Sequence, residues 1–341
     1  MKINRETLRK ALETVRPGLA NKEGIVEQST SFVFMRGKVV TFNDEISISY
    51  PVEGLDIEGA LPADKLYPLL NKITKDDIEI IIDDTKKEII ITAGKMKAGI
   101  VLQPEIKLPL KEVAPTNEWK ELPENFIRYM KFAAASCSKD LTRPLLTTVH
   151  VNKKGYIEAT DSRRLTRCYL TEDLPVNTFL IPSSSVEDIV KFNPTKISEG
   201  AKGWIHFQTD DKVTISSRIF DEDQYMDITP LLQVEGEEVI LPDVTREILD
   251  RAIVFAKRED VLEESIQMTL ENKRLKLSSS SKQGWFEEEV NIRYKGNPIS
   301  VLITPYSLKD ILSETSRCVI SENRIKFEGE NWIYVAALLK K

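Results

Sequence analysis

The sequence predicts an α+β protein made of three similar domains, each with two helices packed on antiparallel sheet. Three observations carry this prediction. An amphipathic helical pattern recurs at Leu66, Leu69 and Leu70, at Val186, Ile189 and Val190, and at Leu308, Ile311 and Leu312. Each copy follows an apolar anchor and a proline: Leu61-Pro62, Ile181-Pro182 and Ile303-Thr304-Pro305. A second helical pattern recurs at Leu8, Ala11, Leu12 and Val15, at Ile127, Met130 and Ala134, and at Leu249, Ala252, Ile253 and Ala256. The intervals agree: Leu8 to Ile127 is 119 residues, Ile127 to Leu249 is 122, Leu66 to Val186 is 120 and Val186 to Leu308 is 122. Two helices in one order at one spacing, three times, mark a single folding unit used thrice.

Hairpins fill the space behind each helix. After the first kind come Phe32–Met35 with Val39–Phe42, Val149–Val151 with Tyr156–Ala159, and Ile266–Leu270 with Leu275–Leu277. Their turns carry Gly, Asn and Lys (Arg36-Gly37-Lys38, Asn152 to Gly155, Glu271-Asn272-Lys273). Further strands are expected at Ile46–Tyr50 and Val290–Tyr294. After the second kind come Ile78–Ile82 with Glu88–Thr92, Trp204–Gln208 with Val213–Ser217, and Val319–Ile320 with Ile325–Phe327. Alternation along these strands implies one buried face, which the two helices must cover. Pro68 is awkward inside a helix and suggests a start near Tyr67. The run Ser278–Ser281 reads as the end of a strand entering a loop. Pro-bearing segments, Gln103 to Pro115 and Thr229 to Pro242, join the modules and give domains 1–116, 117–235 and 236–341.

A chain of 341 residues gives each third enough length for its own core. No apolar run approaches the roughly 20 residues of a membrane span. The start, MKINRETLRKALETV, has no apolar signal core and reads as a helix-forming mature end. Cys137, Cys168 and Cys318 are odd in number and lack metal-type spacing, so they read as small buried hydrophobes in a reducing cytoplasm. The formal net charge is −6. The six repeated helical stretches (2–16, 63–75, 124–140, 183–196, 243–259 and 305–317) hold 19 Lys/Arg against 13 Asp/Glu, a net of +6, so the remainder carries −12. Basic helices in an acidic body suit a protein with one surface toward a polyanion and another repelling it.

Catalytic and metal patterns are sparse. The two histidines, His150 and His206, lie singly in expected strands with no Cys or His at ligand spacing, and read as ordinary strand residues. There is no phosphate-cradling glycine loop, nucleophile elbow or His-Glu-x-x-His. No catalytic residue, metal ligand or cofactor is expected. Asp221, Asp223 and Asp227 form an acidic segment that reads as a solvated loop or, as an alternative, as the metal site of a nuclease or hydrolase subunit.

The segment Ala159-Thr160-Asp161-Ser162-Arg163-Arg164-Leu165, then Leu180-Ile181-Pro182, Ser216-Ser217-Arg218-Ile219-Phe220-Asp221 and Asp227-Ile228-Thr229-Pro230, and the tail Tyr334 to Lys341 form an ordered series. In order and spacing it resembles the bacterial DNA polymerase III beta subunit, the sliding clamp. The resemblance covers the whole chain and rests on the set, not on one motif. It implies a homodimer of two three-domain chains closed head to tail into a ring, with helices lining the hole and sheet outside. Such a ring encircles double-stranded DNA without reading sequence and tethers a polymerase; it is a processivity factor in the cytoplasm, not an enzyme.

Phosphate contacts attract without sequence preference, whereas base contacts would make a sliding ring stick. The candidate DNA-facing residues are Arg5, Arg9, Lys65, Lys72, Arg128, Lys131, Arg246 and Arg251. The resemblance also implies a hydrophobic groove for peptides of the DNA polymerase, the clamp loader and other partners. By motif position it is formed by Leu146, Thr160, Ser162, Arg163, Arg164, Leu165, Pro230, Val335, Ala336, Ala337, Leu338 and Leu339. Three departures stand out. Ala336-Ala337-Leu338-Leu339 replaces the family's Met-Pro-Met-Arg character, Ser162-Arg163 stands where Gly-His is common, and Pro144-Leu145 replaces an aromatic pair. They suggest a phage-encoded or diverged member whose groove takes a different peptide. Besides the hydrolase alternative, a repeat-built interaction protein that never meets DNA stays open on the residues alone.

Overall fold

The computed structural model describes residues 1–115, 118–200, 203–221, 225–258 and 264–339. Its elements pass three times through one series: strand, helix, four strands, helix, three strands. The first pass is β1 (Lys2–Asn4), α1 (Arg5–Val15), β2 (Ser31–Met35), β3 (Lys38–Phe42), β4 (Ile46–Pro51), β5 (Gly59–Pro62), α2 (Ala63–Lys72), β6 (Asp77–Asp83), β7 (Glu88–Ala93) and β8 (Met96–Val101). The second is β9 (Lys120–Glu121), α3 (Phe126–Ala134), β10 (Thr148–Asn152), β11 (Tyr156–Thr160), β12 (Arg164–Tyr169), β13 (Phe179–Pro182), α4 (Ser183–Phe192), β14 (Lys196–Glu199), β15 (Trp204–Gln208) and β16 (Thr214–Arg218). The third is β17 (Glu237–Ile240), α5 (Thr245–Ala256), β18 (Ile266–Glu271), β19 (Arg274–Ser281), β20 (Gly284–Asn291), β21 (Ile299–Ile303), α6 (Pro305–Ile311), β22 (Arg317–Ile320), β23 (Arg324–Glu328) and β24 (Trp332–Ala337). The expected boundary between residues 116 and 117 lies outside the described residues. No helix among the described residues is long and apolar enough to cross a membrane.

By packing, the chain divides into two compact units: Met1–Arg128 with Leu174–Glu222, and Tyr129–Asp173 with Asp223–Lys341. The first unit holds a four-stranded sheet, β1-β6-β7-β8, and a larger one in the order β5-β2-β3-β4-β16-β15-β14-β9. The larger sheet joins strands of two passes through β4 and β16, where Ile48 lies opposite Ile215. Helix α1 starts where the Asn4 side chain accepts hydrogen bonds from the Glu6 and Thr7 amides (3.0 and 3.1 Å). Its stripe of Leu8, Ala11, Leu12 and Val15 is fully buried, and it packs on β3, β4 and α2. The segment before residue 116 is packed, not loose: Leu108 and Val113 share a cluster with Val33, Phe42, Ala60 and Trp204. The Arg36-Gly37 turn between β2 and β3 has both residues at positive φ (49° and 70°), the twist that tight hairpins need.

The second unit contains the order β10-β11-β12-β24-β23-β22-β17 and the sheet β20-β19-β18-β21. The join between passes has the same form as before: β12 pairs with β24, Leu165 opposite Val335. Helix α5 buries Thr245, Ile248, Leu249, Ala252, Ile253 and Ala256 and packs against β19, β20 and α6. The Ser278–Ser281 run ends β19, and Ser279 Oγ reaches back to the Ala252 carbonyl (2.7 Å).

Three local expectations need correction. Pro68 lies inside α2, not at its start. Its missing N–H deprives only the Asp64 carbonyl in the first turn. Burial of Leu66 and Leu70 contributes about 1.5–3 kcal/mol each, which offsets the roughly 3 kcal/mol of an interior proline. The buried stripe of α3 is Phe126, Tyr129, Met130 and Ala133, while Ile127 and Ala134 are half-buried. The larger aromatic side chains take the interior, and Phe126 packs 6.2 Å from Phe207. The strand expected at Val290–Tyr294 is β20, which begins at Gly284 because the hairpin with β19 holds register from Ser281↔Gly284 to Arg274↔Asn291.

His206, in β15, lies directly opposite Ser216 of β16, and its Nδ1 is 2.7 Å from the serine Oγ. The ring is fully buried, and that burial pushes its pKa down to about 4. The unfolded chain therefore takes up a proton near pH 6.5 that the folded state refuses until about pH 4. Stability contributed by the neutral ring is fully present above pH 6.5 and falls as pH drops toward 4, by on the order of 3 kcal/mol. Urea unfolding at pH 7 and pH 4.5 reads this, and His206→Leu should flatten the difference. Separately, Leu12→Ala should cost about 2–5 kcal/mol in the same assay, since the vacated space lies under a helix held from three sides.

Candidate functional site

Two sets of residues are candidates for function: the cations on the helices, and the residues around β12 and β24. Arg5 and Arg9 lie one turn apart on α1, Lys65 and Lys72 two turns apart on α2, and Arg128 and Lys131 one turn apart on α3. Each pair thus shares a helix face. Arg246 and Arg251 are five residues apart on α5, so they diverge.

Several of these charges are already matched. Arg9 bridges Glu6 (2.6 and 2.9 Å) and Glu13 (2.8 Å), and its guanidinium holds the Glu6 carboxyl below its ordinary range. Arg251 makes two 2.8 Å bonds to Glu288 of β20. Lys65 pairs with Asp64 (2.8 Å) and Arg5 with Glu6 (3.4 Å). Such exposed pairs add little to stability but temper the field outside the helix. Lys72, Arg128, Lys131 and Arg246 are exposed. Lys72 also edges a recess of about 520 Å³ between α2 and the end of α1, where the Arg16 guanidinium sits 5.4 Å from the Tyr67 ring centre.

Several residues expected to form a groove lie at the β12–β24 join in the second unit. Leu165 and Val335 form one buried apolar cluster with Ile228 and Leu232, and Val234 and Ile333 pack against it. Alternation along β24 puts Ile333, Val335 and Ala337 on one face and Ala336 on the other. The expected run 335–339 therefore does not line a single wall. The tail is tied down by its backbone: the amides of Ala337, Leu338 and Leu339 donate to the carbonyls of Arg163 (2.7 Å), Asn323 (2.9 Å) and Leu302 (2.7 Å). Thr160 Oγ1 donates to the Arg164 carbonyl and accepts from the Ser162 amide, which shapes the loop before β12. Arg164 reaches Asp161 (3.0 Å) and Asp310 (3.5 Å). Leu146 is buried in a one-turn 3-10 helix, Pro144–Thr147. Pro230 lies in another, Thr229–Leu231, and is exposed together with Met226 and Leu231.

Ser162 has φ +76°, the left-handed region that favours glycine. A serine here accepts a strain of about 1–2 kcal/mol, and its Oγ takes a bond from Arg143 (3.3 Å). Asp227 spends one carboxylate oxygen on the Thr229 amide (2.9 Å), and the Thr229 hydrogen bonds hold its carboxyl below the usual range. Asp223 lies outside the described residues. Among the described residues no three His, Cys, Asp or Glu side chains are grouped to hold a metal.

Sequence reasoning missed Ile228, Leu232, Val234 and Ile333. The signals were present: an apolar i, i+4 pair beside Pro230, and strand alternation running back from Val335. It also missed a buried polar relay. His150, Glu158 and Arg167 are direct cross-strand neighbours on β10, β11 and β12. His150 Nδ1 is 2.7 Å from Glu158 Oε1, Arg167 Nε donates to Glu158 Oε2 (2.6 Å), and Arg167 Nη2 donates to Thr229 Oγ1 (3.0 Å). Tyr225 packs on the His150 ring at 4.5 Å, and the Arg167 guanidinium lies 4.7 Å from the Tyr156 ring centre.

No family model and no curated protein matches the chain. Solved structures do. The DNA polymerase III subunit beta of Pseudomonas aeruginosa is 19% identical, covers 100% of both chains and superposes with a TM-score of 0.84. The beta chain of Streptococcus pneumoniae TIGR4 is 17% identical, covers 100% of this chain and 99% of its own, and gives 0.86. The beta subunit of Thermotoga maritima is 18% identical with the same coverages, at 0.80. Along its whole length, the chain has the fold of the bacterial DNA polymerase III beta subunits.

Proposed function

We propose that this protein is a DNA sliding clamp, a homodimer that encircles duplex DNA and tethers a polymerase and other partners, with no chemistry of its own. The observation that carries the reading is the coincidence of fold over the full length of this chain and of the beta subunits it resembles. We read the three passes as three clamp domains, with proposed bounds 1–116, 117–235 and 236–341. No observation favours the hydrolase reading.

The sheets supply the closure. In each join, the third strand of a four-strand set pairs with the last strand of the following pass: β4 with β16, and β12 with β24. That rule leaves β20 and β8, each at the end of a four-stranded sheet. A second copy satisfies both, β20 of one protomer against β8 of its partner and the reverse. Open edges otherwise invite indiscriminate pairing, and closure removes them. Trp285 on β20 is 71% exposed and Val101 on β8 is 64% exposed, which suits strands that are covered in the assembly.

Eight helix cations are proposed to face DNA, Arg5, Arg9, Lys65, Lys72, Arg128, Lys131, Arg246 and Arg251, the last two from different sides of α5. Their partial neutralisation suits a protein that stays on DNA by linkage and not by affinity. The apolar cluster beside Pro230 and β24, rimmed by Arg163 and Arg164, is proposed as the peptide groove for polymerase, loader and related partners.

Two outcomes are expected. Loaded protein should be retained on closed circular DNA and lost when a single cut linearises it; equal retention on both would mean adhesion, not encirclement. Sedimentation should give twice the chain mass, and Trp285→Ala should weaken the dimer by about 30-fold or more, as for a central aromatic anchor. A monomer at micromolar concentration would remove the ring.

A further inference from the structure

The relay His150–Glu158–Arg167–Thr229 has a buried core of costly composition. Glu158 and Arg167 have side chains only 2% and 8% exposed. A buried ion pair of this kind is often no more stabilising than well-packed apolar residues of the same volume, yet removing one partner is strongly destabilising. What such a pair supplies is geometry. The carboxylate is held on both oxygens, by His150 on one and by Arg167 on the other. Three adjacent strands thereby fix the guanidinium, and its Nη2 donates to the Thr229 hydroxyl.

Thr229 occupies a sensitive place. It opens the one-turn helix that carries Pro230 and Leu231, between Ile228 and Leu232, both of which sit in the apolar cluster with Leu165 and Val335. The segment's own backbone bonds are few: the Leu231 amide to the Ile228 carbonyl (3.0 Å), the Leu232 amide to the Thr229 carbonyl (3.2 Å), and the Asp227 cap on the Thr229 amide. A turn with so little internal bonding needs an external anchor to hold one position. The Arg167 bond to Thr229 is that anchor on the sheet side.

We propose that Glu158, Arg167 and Thr229 are positioning residues for the peptide groove: they hold the 228–232 wall packed against Leu165 and Val335, so that the apolar surface offered to a partner keeps one shape. None of the three needs to touch the peptide. The inference rests on the groove reading above, and it deepens it by assigning the wall's position to a charge relay inside the sheet.

The test compares Thr229→Val, which keeps the shape and loses the hydroxyl, with Thr229→Ser, which keeps the hydroxyl. Hydrogen exchange of the full-length dimer is followed at residues 228–234. A panel of fluorescein-labelled decapeptides ending in two or three apolar residues is titrated in parallel. Thr229→Val should speed exchange in that segment about ten-fold and weaken peptide affinity by a similar factor, with an unchanged dimer mass. Thr229→Ser should behave as wild type in both assays. Unchanged exchange in Thr229→Val would overturn the inference, as would normal affinity in a variant whose wall has loosened. Failure of every peptide to bind wild type would instead strike the groove reading, and exchange would still decide whether the relay holds the wall.

Discussion

Unpaired strand edges are the constraint on which this structure depends. Each pass produces two sheets whose faces the helices cover but whose edges they do not. The chain meets this by joining edges of different passes in one fixed way, seen at Ile48 opposite Ile215 and at Leu165 opposite Val335. The joins extend the backbone ladder across module boundaries, so the linkers need not hold the modules together. They leave β8 and β20 without the join that β4 and β12 make, and the proposed second copy would supply it.

The second join also creates the proposed peptide site. Where β24 lies against β12, apolar residues of both strands meet on one face, and the segment 228–234 lies over them. A groove built at a sheet join inherits the join's rigidity on its floor. Its wall is a single turn with few bonds of its own, and rigidity there must be imported. The relay from His150 to Thr229 does this with the one kind of contact that fixes direction as well as distance, a charge-assisted hydrogen bond from a planar fork.

Much of this was legible in the residues. The α1 stripe at Leu8, Ala11, Leu12 and Val15 is buried as its spacing requires, because a helix on a sheet has only one face to hide. The threefold order was legible because each pass repeats both helices and their hairpins. The start of β20 was not: its residues alternate between half-buried and exposed and include Glu287-Glu288-Glu289, so an open edge strand reads as a charged loop. The joins between passes left no local trace, since partners such as Ile48 and Ile215 lie far apart in the chain. The relay was hidden for a different reason. His150, Glu158 and Arg167 are residue types expected in water, and only their shared register across three strands shows that they face inward together.

On the proposed reading, the charge pattern follows from what a sliding contact must avoid. A helix surface with every cation free would bind phosphates tightly enough to resist movement, since each neutralised phosphate adds to the salt-dependent attraction. Here Arg9 is shared between Glu6 and Glu13, and Arg251 is held by Glu288 on a strand proposed to form the dimer edge. The second pairing has a structural consequence besides lowering the field. It links the α5 surface to β20, so a cation proposed to face DNA and an acidic residue of the proposed closing edge share one ion pair.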